Sequence, residues 1–391
     1  MPADPPVAAY GRVELTQRAT LLSALPQLSR SREPILAVCP LPSELFGLNR
    51  GFISYSTKIP RALLASAGGA LFEVGNNATV HDIGTVLIDG VAQGTLDRGK
   101  GLGEGGSKLR LKEELALAND RNNNSTSAAF AELSVIVGMT GRSNQGTFFD
   151  TKGLNGSVLI DGEEIEGEWE VWPLPLDDAE KVTKLDLASL SSSSSSLLTV
   201  EESGPLLLRG TFEVSAEQAE ASSVGEWEGE EGEEEVGEED GKVGRRRRRR
   251  HPADTYFAFD GLSRGVVFVN GVALGWYDLV EGPQMRVFVP GVWLKRGTND
   301  VLVLEMLSAS SDGGVSAVES VLEPDFFGPP KKKNDGGQEE KQKEKKKSAA
   351  SVEGAAAAAA AASEVETSTS SLLRFPGAGS LRTIEAASAT T

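Results

Sequence analysis

A short apolar run closing on an Asx-Gly pair occurs three times in this chain: Val86-Leu87-Ile88-Asp89-Gly90, Val158-Leu159-Ile160-Asp161-Gly162 and Val267-Phe268-Val269-Asn270-Gly271. The runs are rich in strand-forming β-branched residues. Asx-Gly is the pair best able to occupy the two positive-φ positions of a two-residue hairpin. A chain that repeats this device is committed to antiparallel hairpins and therefore to an all-β fold. The three copies are too unevenly spaced for a solenoid, but they suit antiparallel sandwiches with short strands and frequent turns.

Further strand texture groups around these hairpins. GFISYSTKI (51–59) and ELSVIVGM (132–139) read as strands, and WEVWPLPL (169–176) reads as a closing strand with proline at its edge. A second group comprises LLLRGTFEVS (206–215), DTYFAFDGL (254–262), MRVFVPGVWL (285–294) and NDVLVLEML (299–307). LTQRATLLSAL, from Leu15, suggests a short helix. The serine run Ser191–Ser196 separates the groups as a linker that cannot build a core. The segment 216–253 interrupts the second group and is expected to be a disordered low-complexity insertion. Loop-closure entropy grows only logarithmically, so a surface turn tolerates it. Residues 309–391, rich in Lys, Ala, Ser and Thr, are expected to be a disordered tail.

Charge is local in this chain. Lys and Arg total 39 against 57 Asp and Glu, a formal net charge of −18, yet much of the acidity lies between Glu226 and Asp240. Such blocks are solvated segments more often than binding surfaces. Arg245–Arg250 lies just beyond Gly241–Gly244; no aromatic residue interleaves those arginines and the acidic block competes for them, so no nucleic-acid partner is expected.

Several function classes fall away. Cys39 is the only cysteine, which excludes an intrachain disulfide and a cysteine-rich zinc site. His81 and His251 are the only histidines; neither has a second ligand at metal spacing, and both read as surface residues. No metal, cofactor or catalytic constellation is expected. No apolar run approaches the ~18 residues of a membrane span, and Met1–Tyr10 lacks the charged lead and apolar centre of a signal peptide. Sequons at Asn77, Asn123, Asn124 and Asn155 are compatible with secretion.

Between Gly261 and Leu307 the residues become specific. An Arg264-Gly265 pair precedes V-x-V-N-G (267–271), L-G-x-Y (274–277), G-P-Q (282–284), a V-P strand end (289–290), L-K-x-G-x-N (294–299) and V-L-E (303–305). In that order they resemble the C-terminal sandwich of the glycoside hydrolase family 35 β-galactosidases. YGRVEL (10–15), PSELFGLNRGFISYST (42–57), VLIDGVAQGTLDR (86–98), GRSNQGTFFDTKGL (141–154) and WEVWPLPLDD (169–178) are similar to the preceding parts of that family. The resemblance covers roughly 10–178 and 204–308. It implies a post-barrel linker at 1–41, a first all-β sandwich at 42–178 and a Ser-rich linker at 179–203. A second, galactose-binding-like jelly roll follows at 204–308, carrying the insertion 216–253.

The resemblance also implies what would be missing. The family's catalytic domain is an N-terminal TIM barrel of at least about 200 residues. Its two carboxylates, about 5–5.5 Å apart as in other retaining glycosidases, both come from barrel strands, one in an N-E-Y-G-like motif. No such motif occurs here. The expectation is a non-catalytic region that braces or shapes a sugar site supplied by a barrel in cis or in trans, in an enzyme that hydrolyses terminal β-galactosides. The alternatives are a stand-alone carbohydrate-binding module and a scaffold protein. Candidate sugar or inter-domain contacts are Arg142, Asn144, Gln145, Asn270, Trp276 and Tyr277. Gln145 stands where the family usually has tyrosine, and Trp276 where it usually has arginine. Family members are commonly lysosomal, vacuolar or extracellular.

Overall fold

The computed structural model describes residues 6–75, 78–112, 129–143, 149–191, 204–221, 251–307, 316–325 and 373–374. These fall into two compact units, one centred on Ala19–Leu206 and the other on Leu207–Glu305 with the N-terminal residues to Arg18. Each is a pair of antiparallel sheets.

In the first unit, the larger sheet has the order Leu373–Arg374, Ile35–Ala37, Trp169–Leu174, Gly51–Pro60, Phe130–Met139, Ile83–Ile88 and Val91–Asp97. The smaller has the order Glu163–Glu164, Val158–Ile160, Leu71–Val74, Lys108–Arg110. Alternate side chains of the two inner faces meet in one core. Ile53, Tyr55, Val135, Val137 and Trp169 come from the larger sheet, and Phe72, Val74, Val158 and Ile160 from the smaller. This is the inward alternation expected of a sandwich. Trp169–Leu174, the last strand of the 42–178 stretch, lies between Ile35–Ala37 and Gly51–Pro60. Pro173 falls beyond the last residue paired with Ile35, where the missing N–H breaks no ladder on that side.

In the second unit, Gly11–Glu14, Ala317–Val321, Thr255–Asp260 and Arg286–Val289 form one sheet in that order. Val272–Asp278, Arg264–Val269, Gly297–Glu305, Leu206–Val214 and Gln17–Thr20 form the other. Aromatic rings join the two layers: Phe212 meets Phe257 edge-on at 6.1 Å, and Phe259 stacks on Tyr277 at 4.0 Å.

All three Asx-Gly pairs make the expected turns. Asp89, Asp161 and Asn270 have φ of 50°, 50° and 49°, followed by glycines at 78°, 83° and 82°, the left-handed pair that a type I′ turn demands.

Local order goes further than the sequence reading allowed. The LTQRATLLSAL stretch is helical only from Leu21, where Thr20 caps Leu21–Leu28 by accepting the Ser23 N–H at 3.3 Å; Gln17–Thr20 is a strand. The expected linker 1–41 supplies a strand to each unit, Gly11–Glu14 and Ile35–Ala37. The expected linker 179–203 contains the helices Ala179–Lys184, capped by Asp178, and Leu187–Ser191. The expected insertion begins with a helix, Ala216–Ala221. Ser215 and Gln218 exchange hydrogen bonds there at 2.9 and 3.1 Å, a capping box. The expected tail contributes Ala317–Val321, which bridges Gly11–Glu14 and Thr255–Asp260. Local composition cannot signal a strand whose partners lie hundreds of residues away. The rest of the insertion, 222–250, lies outside the described residues. No described helix is long and apolar enough to cross a membrane.

Candidate functional site

The hairpin through Asp89-Gly90 brings the residue before one strand beside the residue after the other. Asp82 precedes Ile83–Ile88 and Arg98 follows Val91–Asp97; the Arg98 N–H donates to the Asp82 carbonyl at 2.9 Å. On the second side of this pair comes the stretch around Asp150. Lys152 drives its ammonium between two carboxylates, 2.7 and 2.9 Å from the Asp82 oxygens and 3.1 Å from Asp150. The Arg98 guanidinium reaches both as well, at 3.2 Å to Asp82 and 2.7 Å to Asp150. Asp82 accepts further bonds from the Thr140 N–H and hydroxyl, and Asp150 from the Ser143 N–H. Two carboxylates and two cations thus neutralise one another beneath Gly141–Ser143.

Burial opposes ionisation of both carboxyls, but their donors and cations outweigh it. Asp82 is held below its ordinary value by Lys152, the Thr140 N–H and Arg98. Asp150 is held at about 2 by the Ser143 N–H, Arg98 and Lys152. Both are ionised near neutral pH, so neither can serve as a proton donor there. The cluster is an anchor rather than an acid-base pair.

Arg142 belongs to the same anchor. It donates to the Asp150 carbonyl at 2.6 Å and the Asn49 carbonyl at 3.1 Å, and it pairs with Glu44 at 2.5 Å. Glu44 in turn accepts the Lys152 N–H. The Arg142 guanidinium also lies over the ring of Phe149, 5.9 Å from its centroid, and Phe149 is 74% exposed. His81 is not the surface residue expected. It is largely buried, its Nδ1 is 2.6 Å from the Thr151 carbonyl, and burial lowers its pKa. Gly153 exchanges backbone bonds with His81 at 2.7 and 3.0 Å, and a Cβ there would stand 2.3 Å from the Tyr55 hydroxyl. Asn144 and Gln145 lie outside the described residues.

Of the candidates in the second unit, Tyr277 is internal and Asn270 and Trp276 are partly exposed. Tyr277 is fully buried; its hydroxyl donates to Glu305 at 2.8 Å, and burial, then Glu305, push its pKa far up. Glu305, also fully buried, accepts the Ser263 and Arg264 N–H groups at 2.8 and 3.1 Å. Asn270 donates to the Trp293 carbonyl and to Asn299 at 2.9 Å each, and it accepts the Asp300 N–H at 3.1 Å. Asn299 ties down the turn before it through Lys295 and Gly297. Asn270, Tyr277, Asn299 and Glu305, polar letters of these runs, are therefore clips that hold the sheet together. Trp276 keeps partial exposure on strand Val272–Asp278.

The anchor was not found by sequence reading, although a signal existed. Counting outward from Asp89-Gly90 sets Asp82 against Arg98 once Gln93 is allowed as a bulge between the Val86–Gly94 and Leu87–Ala92 pairs. Lys152 and Asp150 had no comparable signal. Among the described residues, no group of three or more His, Cys, Asp or Glu side chains is placed to hold a metal ion.

Comparison with known proteins accords with this architecture. Residues 40–175 match the family described as "Beta-galactosidase, first all-beta domain", and residues 245–299 match "Beta-galactosidase, galactose-binding domain". Among curated proteins, "Beta-galactosidase" of Bos taurus is 30% identical over 337 residues, covering 83% of this chain and 43% of its own length. "Beta-galactosidase 17" of Arabidopsis thaliana is 26% identical over 324 residues, covering 81% of this chain and 40% of its own. The chain thus spans about two fifths of the length of these relatives. Among solved structures, the Pleurotus ostreatus lectin in complex with GalNAc aligns with 80% of this chain and 81% of its own at 13% identity, with a TM-score of 0.18, too low to support any inference. Together these matches support reading the chain as similar to the non-barrel region of the family 35 β-galactosidases.

Proposed function

We propose that this chain braces and shapes the sugar site of a β-galactosidase whose catalytic barrel is provided in cis or in trans. The reaction served is hydrolysis of terminal β-galactosides. The observation that carries this reading is the anchor formed by Asp82, Arg98, Asp150 and Lys152. It fastens both ends of the stretch that begins Gly141-Arg142-Ser143 and ends at Asp150, the stretch that resembles G-R-x-N-Y-G. A loop that completes another domain's site must be held rigidly to be useful, and neutralised, hydrogen-bonded charges provide that rigidity. Phe149 and Arg142 then offer an exposed aromatic face and a nearby cation at the loop's end.

A second reading, a stand-alone carbohydrate-binding module, draws support from the match to a galactose-binding domain. It is weakened because Asn270 and Tyr277 spend their polar groups inside the sheet. One experiment separates the two. The full chain is mixed with the separately expressed catalytic barrel of a β-galactosidase, and turnover of a chromogenic β-galactoside is followed. The bracing role predicts no turnover by the chain alone, a large gain in kcat/KM when the two are combined, and loss of most of that gain in Asp150→Ala. No gain at any ratio, together with heat on titrating galactose into the chain alone, would favour the binding module.

A further inference from the structure

The helix Leu21–Leu28 ends at Ser29, and the chain then turns into the strand Ile35–Ala37. Beside that turn lies a cavity of about 240 Å³ whose walls are mostly apolar: Pro34, Ile35, Phe46, Leu48 and Pro173. Leu48 and Pro173 are buried, while Arg30, with a side chain 62% exposed, stands at the mouth. The two serines that line the cavity have committed their hydroxyls: Ser29 donates to the Pro173 carbonyl and Ser31 to the Glu33 carbonyl. The Arg30 guanidinium has no such short bond. Its partners are the Gly47 carbonyl at 3.4 Å and Asp177 at 3.7 Å, both longer than the roughly 2.7–2.9 Å of a charge-assisted hydrogen bond. Among the described residues that line the cavity, Arg30 is the only charged one. On its other side Arg30 lines a second cavity of about 170 Å³, beside Pro175 and Leu176. Leu176 holds a left-handed φ of 51°, a conformation rare for such a residue and found most often where a binding site constrains the backbone.

We propose that the larger cavity is a binding site for a small amphiphilic carboxylate. Its apolar end, a ring or a branched chain, enters between Ile35, Phe46 and Leu48, and its carboxylate pairs with Arg30 at the mouth. The volume fits: about 150 Å³ of apolar cavity holds a benzene ring, so 240 Å³ admits a ring and a short tether. The charge fits as well. A planar guanidinium receives a carboxylate through two parallel N–H donors, and the long contacts of Arg30 leave those donors open to exchange. Apolar walls with a single polar group to fix orientation are the usual plan of a small-molecule site. An inorganic anion would use Arg30 and leave the walls wet. A neutral apolar molecule would use the walls and leave the guanidinium to water.

The test follows the methyl NMR signals of the full chain during titration with 3-phenylpropionate and, separately, with its neutral analogue 3-phenylpropanol. The Ile35 and Leu48 methyls are expected to shift saturably with the acid, with a dissociation constant on the order of 1 mM, the range open to so small a ligand. The alcohol is expected to shift the same methyls with weaker affinity. Arg30→Gln, a change at an exposed side chain, is expected to weaken the acid about tenfold, the loss of a hydrogen bond to a charged group, and to leave the alcohol unchanged. Absence of a saturable shift at Ile35 and Leu48 would overturn the proposal, as would shifts confined to other methyls. Equal affinity of the unaltered chain for acid and alcohol, or equal weakening of both in Arg30→Gln, would overturn it too, by removing the carboxylate contact.

Discussion

The Lys152 ammonium stands 2.7 and 2.9 Å from the two carboxylate oxygens of Asp82, with a side chain only 1% exposed. A cation buried so deeply is tolerable only because Asp82 and Asp150 both face it. Lys152→Met keeps most of the volume but leaves two buried carboxylates with Arg98 as their remaining cation. Removing one partner of a buried pair costs about 3–5 kcal/mol. A fall in the guanidinium midpoint, followed by tryptophan fluorescence, measures it. Lys152→Met combined with Asp82→Asn is expected to lose less than the sum of the single changes, because the two share one interaction. Strict additivity would contradict the direct pairing.

Acid should loosen the same cluster. The Asp150 pKa lies at about 2 in the folded chain, below its ordinary value of 3.8. A depressed folded pKa contributes stability that is full above the unfolded value and is lost as pH falls through the folded one. Asp82 shifts in the same direction. The shift at Asp150 alone corresponds to roughly 2 kcal/mol, which should disappear between about pH 4 and pH 2. Asp150→Asn should flatten that part of a stability-pH curve.

His81 adds a second, higher window. Burial depresses its folded pKa below 6.5, so the unfolded chain takes up the proton first. Stability should begin to fall as pH drops below about 6.5, the ordinary histidine value. In His81→Gln this part of the pH dependence should vanish while the carboxylate step remains.

Tyr277→Phe tests whether the L-G-x-Y tyrosine is structural. The change removes one donor from the fully buried Glu305, and a hydrogen bond to a charged group contributes about 1.5–3 kcal/mol. A lower thermal midpoint is expected, with no change in the heat of galactose titration. A sugar-specific effect at unchanged stability would contradict the burial of Tyr277.

Asn270 combines a left-handed backbone with three side-chain hydrogen bonds. Asn270→Gly should lose only the bonds, at about 1 kcal/mol each. Asn270→Ala adds the left-handed strain of about 1–2 kcal/mol and should be the less stable of the two. Denaturant unfolding ranks them, and the reverse order would refute the turn assignment.

The legible parts of this fold are those where a few neighbouring residues settle the backbone. Asp89-Gly90, Asp161-Gly162 and Asn270-Gly271 announce their turns because only such pairs accept two successive positive φ angles. The apolar runs flanking them follow from that. Ala317–Val321 and Leu373–Arg374 were not legible, because their strand character is conferred by distant partners, Gly11–Glu14 and Ile35–Ala37. Of the candidate contacts, Arg142 binds the Asp150 carbonyl and Glu44, partners that its neighbours in sequence do not announce. Tyr277 and Asn270 were recognisable as motif letters, yet nothing local distinguishes a tyrosine facing a sugar from one facing a buried glutamate.

The amino-acid order by itself therefore determined the hairpins, the all-β class and the kinship with the β-galactosidase non-barrel region, since each rests on short-range backbone preference or on an ordered run of motifs. Only the tertiary structure decided that Asp82, Arg98, Asp150 and Lys152 form one anchor. Asp82 meets Arg98 across 16 positions and Lys152 across 70. Charges so far apart in sequence come within pairing distance only when the packing of the strands and loops that carry them brings them together.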